Sequence, residues 1–471
     1  MPFSEIQFAK QVIAAPSSNS WITMWGGGGH DEARSVAVSR DGYVYVTGST
    51  RSFSAEDDLL LMKFDWRGLL VWNRTLDDGT QYGFESTDRG NHVVLSDDGY
   101  IYVVGEVACG KVSESHRIAP GILLAKYDSS GNLVWFISPP YVHDRFYWVT
   151  HGEQWLSGAV DENGDIYIAG GLEMGEYWQT GHGLVDVDAL LVKCSSDGEI
   201  LWRRNWGTSL YDPYGLGWTA TPVLDLATSV AISADSYVYV AGYLGRFLSD
   251  KPDLNAFLAK YDMSGEQIWN RTYGGTLDDV AYAVCTADGA TYVAGSTSSY
   301  GAGSQDTFLL KYDTDGNQVW NRTWGGPESE TVNSLSISMK NELYLCGETS
   351  SFSTDGSAGT PRAFINEYDT SGNMIMSGIW GSGSRGQSAE SVAISDSGDV
   401  YFTGTVFGTE DSDSDVFLVK NLNGVQYLTY QFQAAEYVLL AIAVDVAAVF
   451  VFCIFLLTSQ RARKPIKRRQ G

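Results

Sequence analysis

Seven times along this chain a short run of β-branched and aromatic residues ends in glycine: "YVYVTG" (43–48), "YIYVVG" (100–105), "DIYIAG" (165–170), "YVYVAG" (237–242), "TYVAG" (291–295), "LYLCG" (343–347) and "VYFTG" (400–404). A repeat constrains the fold more than any composition can, because each copy must adopt one structure and copies too small for a core of their own must share one. The clearest unit, residues 278–326, holds four alternating segments, "AYAVC", "TYVAGS", "TFLLKYD" and "QVWNRTW". The first pair is joined by an Asp-Gly turn and the last by "DTDGN", both hairpin chemistry, so the unit is predicted to be a four-stranded antiparallel meander. Radial stacking of seven such units predicts an all-β, seven-bladed β-propeller.

Through "DGxxYVxGxT" and "DxFLxKYDxxGxxxW…TxGG" the sequence resembles the seven-bladed β-propeller repeat family labelled SBBP, over about residues 21 to 424. It departs from that family in the fourth strand, which reads "WNRTW" where a tyrosine-rich strand is usual. The seventh unit lacks its Trp-containing fourth strand, and an orphan "WITMWGG" opens the chain at Trp21. Trp25 precedes Val36 by the same eleven residues that separate Trp324 from Leu335, so the orphan is expected to close the last blade and remove the free edge.

Meanders alternate their turns between two faces. On one face every connection is short ("RDG", "DDG", "ENG", "DSSGN", "DMSGE", "DTDGN"). The opposite face takes the insertions 139–155, 172–188 and 206–222. Their aromatics Tyr141, Phe146, Tyr147, Trp148, Tyr177, Trp178, Tyr211, Tyr214 and Trp218 are candidates to stack on sugars or anchor a protein partner, or else to pack on one another as a cap. Aligning the units places Asp31, Asp88, Glu153, Asp225, Asp278 and Glu330, with Gln387 seventh, just before each innermost strand. Such a ring suits Ca²⁺, the one cofactor the chain suggests, or else caps backbone N–H groups where the chain enters a blade. No GxSxG, HExxH or phosphate loop appears, the histidines lack ligand spacing, and five single cysteines read as small buried hydrophobes.

Residues 437–457, "YVLLAIAVDVAAVFVFCIFLL", are long and apolar enough to span a bilayer. Asp445 within them is either protonated or reaching water, or is a contact for a polar group on another membrane helix. Six of the chain's 31 Lys and Arg fall in residues 458–471, which hold no acid; the rest of the chain keeps 25 against 57 acidic groups. The basic tail is expected in the cytoplasm and the propeller outside a cell membrane, in single-pass topology. The first twenty residues carry no signal-peptide core, so the chain start is missing or the protein is tail-anchored. Three "NRT" sequons, at Asn73, Asn270 and Asn321, favour export with glycosylation, unless the triplet merely suits an edge strand. The acidic balance argues against nucleic acid.

The expected organisation is an N-terminal segment (1–19), the propeller (20–424), a linker (425–436), the membrane helix and the tail. The expected function is that of a membrane-anchored cell-surface module that binds a glycan or protein through its long-loop face and is not an enzyme, since no acid, base and nucleophile converge in the sequence. The alternative is an enzyme of glycan or quinone-cofactor chemistry on the same ring.

Overall fold

The computed structural model describes residues 20–421, apart from 55, 78–85, 110, 114–115, 118–120, 138–155, 174–186, 208–223, 249–250, 353–358, 382–383 and 409–412. They form seven four-stranded antiparallel sheets. Blade 1 comprises Asp31–Val38, Val44–Thr50, Asp58–Phe64 and Leu70–Leu76; blades 2 to 6 follow in the same order, and blade 7 is Gln387–Ile394, Val400–Val406 and Asp415–Lys420. The fourth strand of blade 7 is Trp21–Trp25, paired antiparallel with Asp415–Lys420 from Trp21 opposite Lys420 to Trp25 opposite Val416. The N-terminal strand therefore closes the ring as the Trp spacing predicts. The expected membrane helix, with Asp445, and the linker before it lie outside the described residues.

The core lies between blades rather than within them. Second and third strands are buried on both faces, as in Val44–Thr50 and Asp58–Phe64, because each sheet is packed on two neighbours. Fourth strands alternate instead, exposed and half-buried in turn, as in Gln318–Trp324, which marks the outer rim. First strands line the axis, and each touches the first strands of both neighbours, blade 7 against blade 1 included.

The repeated residues of the short-turn face are spent on joining blades. Arg271 stacks on Trp269, 5.1 Å away, and donates from Nε to the Gly316 carbonyl (2.7 Å) and from Nη2 to the Asp315 carbonyl (2.8 Å) in the next blade's third turn. Trp269 Nε1 and Lys260 Nζ donate to the Thr314 carbonyl of that turn. Arg74, Arg204 and Arg322 repeat the clamp on Gly131, Gly265 and Gly372. The turn glycine serves twice. Gly131 sits at φ +81°, where a side chain is strained, and a β-carbon there would come within 3.0 Å of Trp72. At the closure Trp21 Nε1 donates to the Trp66 carbonyl (2.9 Å), and Thr23 Oγ1 to the Gly68 carbonyl (2.8 Å), so the N-terminal strand carries its own version of the clamp.

Candidate functional site

The nine candidate aromatics, Tyr141 to Trp218, and Glu153 of the acidic ring lie outside the described residues. Of the sequons, Asn270 and Asn321 are exposed on the rim. Asn73 is only 2% exposed, which corrects the expectation of three equivalent glycan acceptors. The arginine of each NRT is the clamp just described, so the triplet has a structural use that the sequence alone did not reveal.

The acids at the blade entries accept hydrogen bonds. Asp31 takes them from the hydroxyls of Thr50 and Ser52 and from the Gly27 N–H. Glu330 takes them from Thr349, Ser351 N–H and Gly326 N–H, and Asp225 from Gly245 N–H. In blade 5 the residue in this position is Asp279, fully buried and bonded by Thr297, Ser299 and Gly275 N–H; Asp278 is half-buried and precedes the strand. The sequence alignment was thus one residue out there, because blade 5 reads "LDD" with two candidate acids. Asp88 is fully buried, and its N–H donates to the Asp57 carbonyl of blade 1. The Asp31, Asp279 and Glu330 carboxylates each tie the end of one blade to the first two strands of the next. Among the described residues no three His, Cys, Asp or Glu side chains gather to hold a metal.

A second belt runs nearer mid-channel. First strands are edge strands, so their outward N–H groups need partners from elsewhere. Ser35 accepts from Val93 N–H, Ser157 from Val230, Ser229 from Val284, Ser334 from Val392 and Ser391 from Val36, at 3.1–3.3 Å. His92 replaces the serine of blade 2 and accepts at Nδ1 from Gly158 N–H (3.1 Å). Burial pushes its pKa down to about 4, so the ring is neutral and accepts at neutral pH.

One residue before this belt the first strand is irregular in six of the seven blades. The register slips between Ala33 and Ser35, Gly90 and His92, Ala227 and Ser229, Ala281 and Ala283, Val332 and Ser334, and Ala389 and Ser391. The glycine of "YVxG" permits this bulge. A β-carbon at Gly48 would lie 1.8 Å from the Glu32 carbonyl oxygen, which the bulge pushes across the second strand. The skipped residues are Arg34, Asn91, Thr228, Tyr282, Asn333 and Glu390; Leu156 holds the corresponding place in blade 3. All line one axial cavity of about 680 Å³. A repeating backbone device thereby presents a ring of seven side chains in which little repeats.

The ring is two-sided. On blades 3 to 5 it offers Leu156, Thr228, whose hydroxyl is spent on the Ala241 and Ala281 carbonyls, and Tyr282. On blades 6, 7, 1 and 2 it is polar. Asn333 Nδ2 donates to Glu390 Oε2 (3.2 Å), and Arg34 Nη2 pairs with Glu32 (3.3 Å). Toward the long-loop side Arg89 bridges Asp57 (2.7 Å) and the fully buried Glu106 (3.4 Å). Burial alone would raise Asp57, but hydrogen bonds from Arg51 and Arg89 outweigh it and hold the carboxyl below its usual range. Burial pushes Glu390 up to about 7, against a hydrogen bond from Ser388 and the attraction of Arg34.

The SBBP β-propeller repeat model matches residues 7–52. The chain is a seven-bladed propeller carrying this repeat. Over 168 residues it is 26% identical to the regulatory protein FlaEY of Caulobacter vibrioides, a match that takes in 30% of this chain and 18% of that protein. The match thus spans less than a fifth of the relative's length. Among solved structures it is similar to an ulvan lyase of a new polysaccharide lyase family (9% identity, TM-score 0.49, 83% of this chain and 94% of that one). The polysaccharide lyase Uly1 (12%, 0.45, 84% and 90%) and a puromycin hydrolase (13%, 0.44, 80% and 50%) are further cases. The expectation that the chain is not an enzyme is withdrawn: the similar structures include polysaccharide lyases and a hydrolase, and because propellers host catalysis and binding alike, the lack of a recognisable catalytic set in the sequence does not exclude catalysis.

Proposed function

We propose that this chain is a carbohydrate-engaging propeller held at the cell membrane by residues 437–457, with its ligand received on the long-loop side of the ring. One observation carries this assignment. On the short-turn face the repeated Lys, Trp and Arg residues are consumed in blade-to-blade clamps, whereas the side chains that differ from blade to blade face the channel or fall in the insertions. Recognition needs side chains that differ, so it belongs to the second set. The nine aromatics of the insertions suit the apolar faces of sugar rings.

Charge narrows the ligand. With 57 acidic against 25 basic groups outside the tail, the propeller repels polyanionic saccharides and favours neutral or amino-substituted glycans. The experiment is a glycan-array screen of the full chain in detergent, with release of new chain ends measured on every hit. Trp148→Ala, Trp178→Ala and Trp218→Ala are expected to weaken a neutral-glycan hit at least tenfold in combination. Unchanged binding in the triple variant, or binding confined to sulfated or uronic polymers, refutes the assignment.

A further inference from the structure

We infer that the axial channel is a second binding site, independent of the long-loop face, and that it takes a small zwitterion of the α-amino-acid class with an apolar side chain. Three ring residues on successive blades carry the inference. Asn91 of blade 2 is 7% exposed and lines the cavity, yet among the described residues neither its carboxamide oxygen nor its nitrogen has a hydrogen-bond partner. Arg34 of blade 1 holds Glu32 through Nη2 while its buried Nε–H has no partner among the described residues. Glu390 of blade 7 accepts from neutral groups, the Asn333 amide and the Ser388 hydroxyl, and among the described residues it forms no ion pair with any Lys or Arg.

A buried carboxamide with no partner is destabilising, and native proteins tolerate few. Two unpartnered polar groups on neighbouring blades, beside a carboxylate to which no cation is paired among the described residues, all bordering one cavity, are the pattern of a site whose partner arrives from outside. Their chemistry specifies that partner. The Arg34 Nε–H and the Asn91 amide are donors suited to a carboxylate. Glu390 is an acceptor suited to an ammonium, and it lies on the blade beside Arg34, so the two charges must belong to one small molecule. The opposite wall of Leu156, Thr228 methyl and Tyr282 ring supplies the place for an apolar side chain. A cavity of about 680 Å³ lies within the usual range for small-molecule sites. The neighbouring pairs Arg89 with Asp57 and Glu106 are complete and do not compete for the ligand.

The test uses L-phenylalanine, phenethylamine and 3-phenylpropionate against the full chain in detergent at pH 8, by calorimetry and thermal shift. Phenylalanine is expected to bind and to raise the melting temperature, and each single-charge analogue to bind at least tenfold more weakly. Glu390→Gln should bring phenylalanine down to the affinity of the acid analogue. Arg34→Lys, which keeps the charge beside Glu32 and removes the Nε–H, should bring it down toward the amine. Both substitutions are conservative, and melting curves at pH 6 confirm folding; where one variant fails to fold, the other decides. No binding by any of the three compounds makes the channel a water-filled axle and overturns the inference. Equal binding of phenylalanine and phenethylamine makes it a simple cation site and overturns it too.

Discussion

Replacing Trp25 by alanine tests whether the two chain ends hold the ring shut. Trp25 is 1% exposed and packs in the core shared by blades 7 and 1, with Ala33, Val36, Leu60 and Val416. Its indole N–H has no hydrogen-bond partner among the described residues, so the loss is one of apolar burial and packing. Removing a buried tryptophan costs about 3–5 kcal/mol. For roughly 400 ordered residues the melting entropy is about 0.8 kcal/mol per kelvin, so the melting temperature should fall by about 4–6 °C. Trp324→Ala is the control. It stands in the same fourth-strand position of blade 5 but is only half-buried, and its strand is tied to its blade by a covalent turn. The control should lose about half as much and gain no new protease site. In Trp25→Ala the strand Trp21–Trp25, which no turn ties to its blade, keeps only its pairing with Asp415–Lys420 and the Trp21 and Thr23 contacts to blade 1, so limited proteolysis should release the N-terminal segment and cut between blades 7 and 1. Equal melting losses in the two variants, with no cleavage at that junction, would refute the closure argument.

Three further outcomes follow from the same geometry. The Glu390 carboxyl, raised from 4.5 to about 7 by burial, ionises later in the folded chain than in the unfolded one, so it lowers stability as pH rises through that window, by no more than about 3 kcal/mol. Glu390→Gln should therefore melt like the parent at pH 4.5 and about 2–4 °C higher at pH 8, measured by calorimetry; a constant difference across the range contradicts the assignment. Arg271→Lys loses the fork that grips the Gly316 and Asp315 carbonyls and should cost about 1–2 kcal/mol in denaturant titration; a neutral result would mean the clamp contributes only packing. Asp279→Asn gives up one of two acceptor oxygens bonded by Thr297, Ser299 and Gly275 and should cost about 2 kcal/mol, while calcium or chelator leaves the parent's melting unmoved; a calcium-dependent shift would return the acids to metal binding.

The seven blades, their strand order and the closing strand were legible because each rests on a period. Alternation fixes a strand, Asp-Gly fixes a turn, and a tryptophan eleven residues before a first strand marks a fourth strand wherever it occurs in the chain. The entry acids were legible as a ring, and their one misplacement, Asp278 for Asp279, arose where two adjacent acids competed for one position. What the sequence did not disclose was the channel. In the sequence the glycine of "YVxG" marks only the end of a strand motif, whereas its physical role is to admit the displaced carbonyl of a bulge, as at Gly48 against Glu32. Nothing in the period-two pattern says that a strand has one residue too many, since the bulge falls where alternation is weakest.

That blind spot has a general cause. A repeat is found by what its copies share, and in this ring the shared residues are those that hold blades together: Lys260 and Lys311, Trp269 and Trp320, Arg271 and Arg322, Asp31 and Asp279. A residue that differs in every copy drops out of the comparison, although a binding site on a propeller axis must be made of such residues, because seven identical side chains could present only a ring-symmetric surface. Arg34, Asn91, Leu156, Thr228, Tyr282, Asn333 and Glu390 have no common chemistry, yet six of them share the bulge that aligns them and Leu156 takes the matching place. The useful signal in such a sequence is therefore a variable position that stands at constant distance from an invariant glycine. Here it lies fourteen residues before Gly48, Gly105, Gly242 and Gly404, and thirteen or fourteen before the other three. The scaffold supplies the geometry at that position and selection is left free to supply the chemistry.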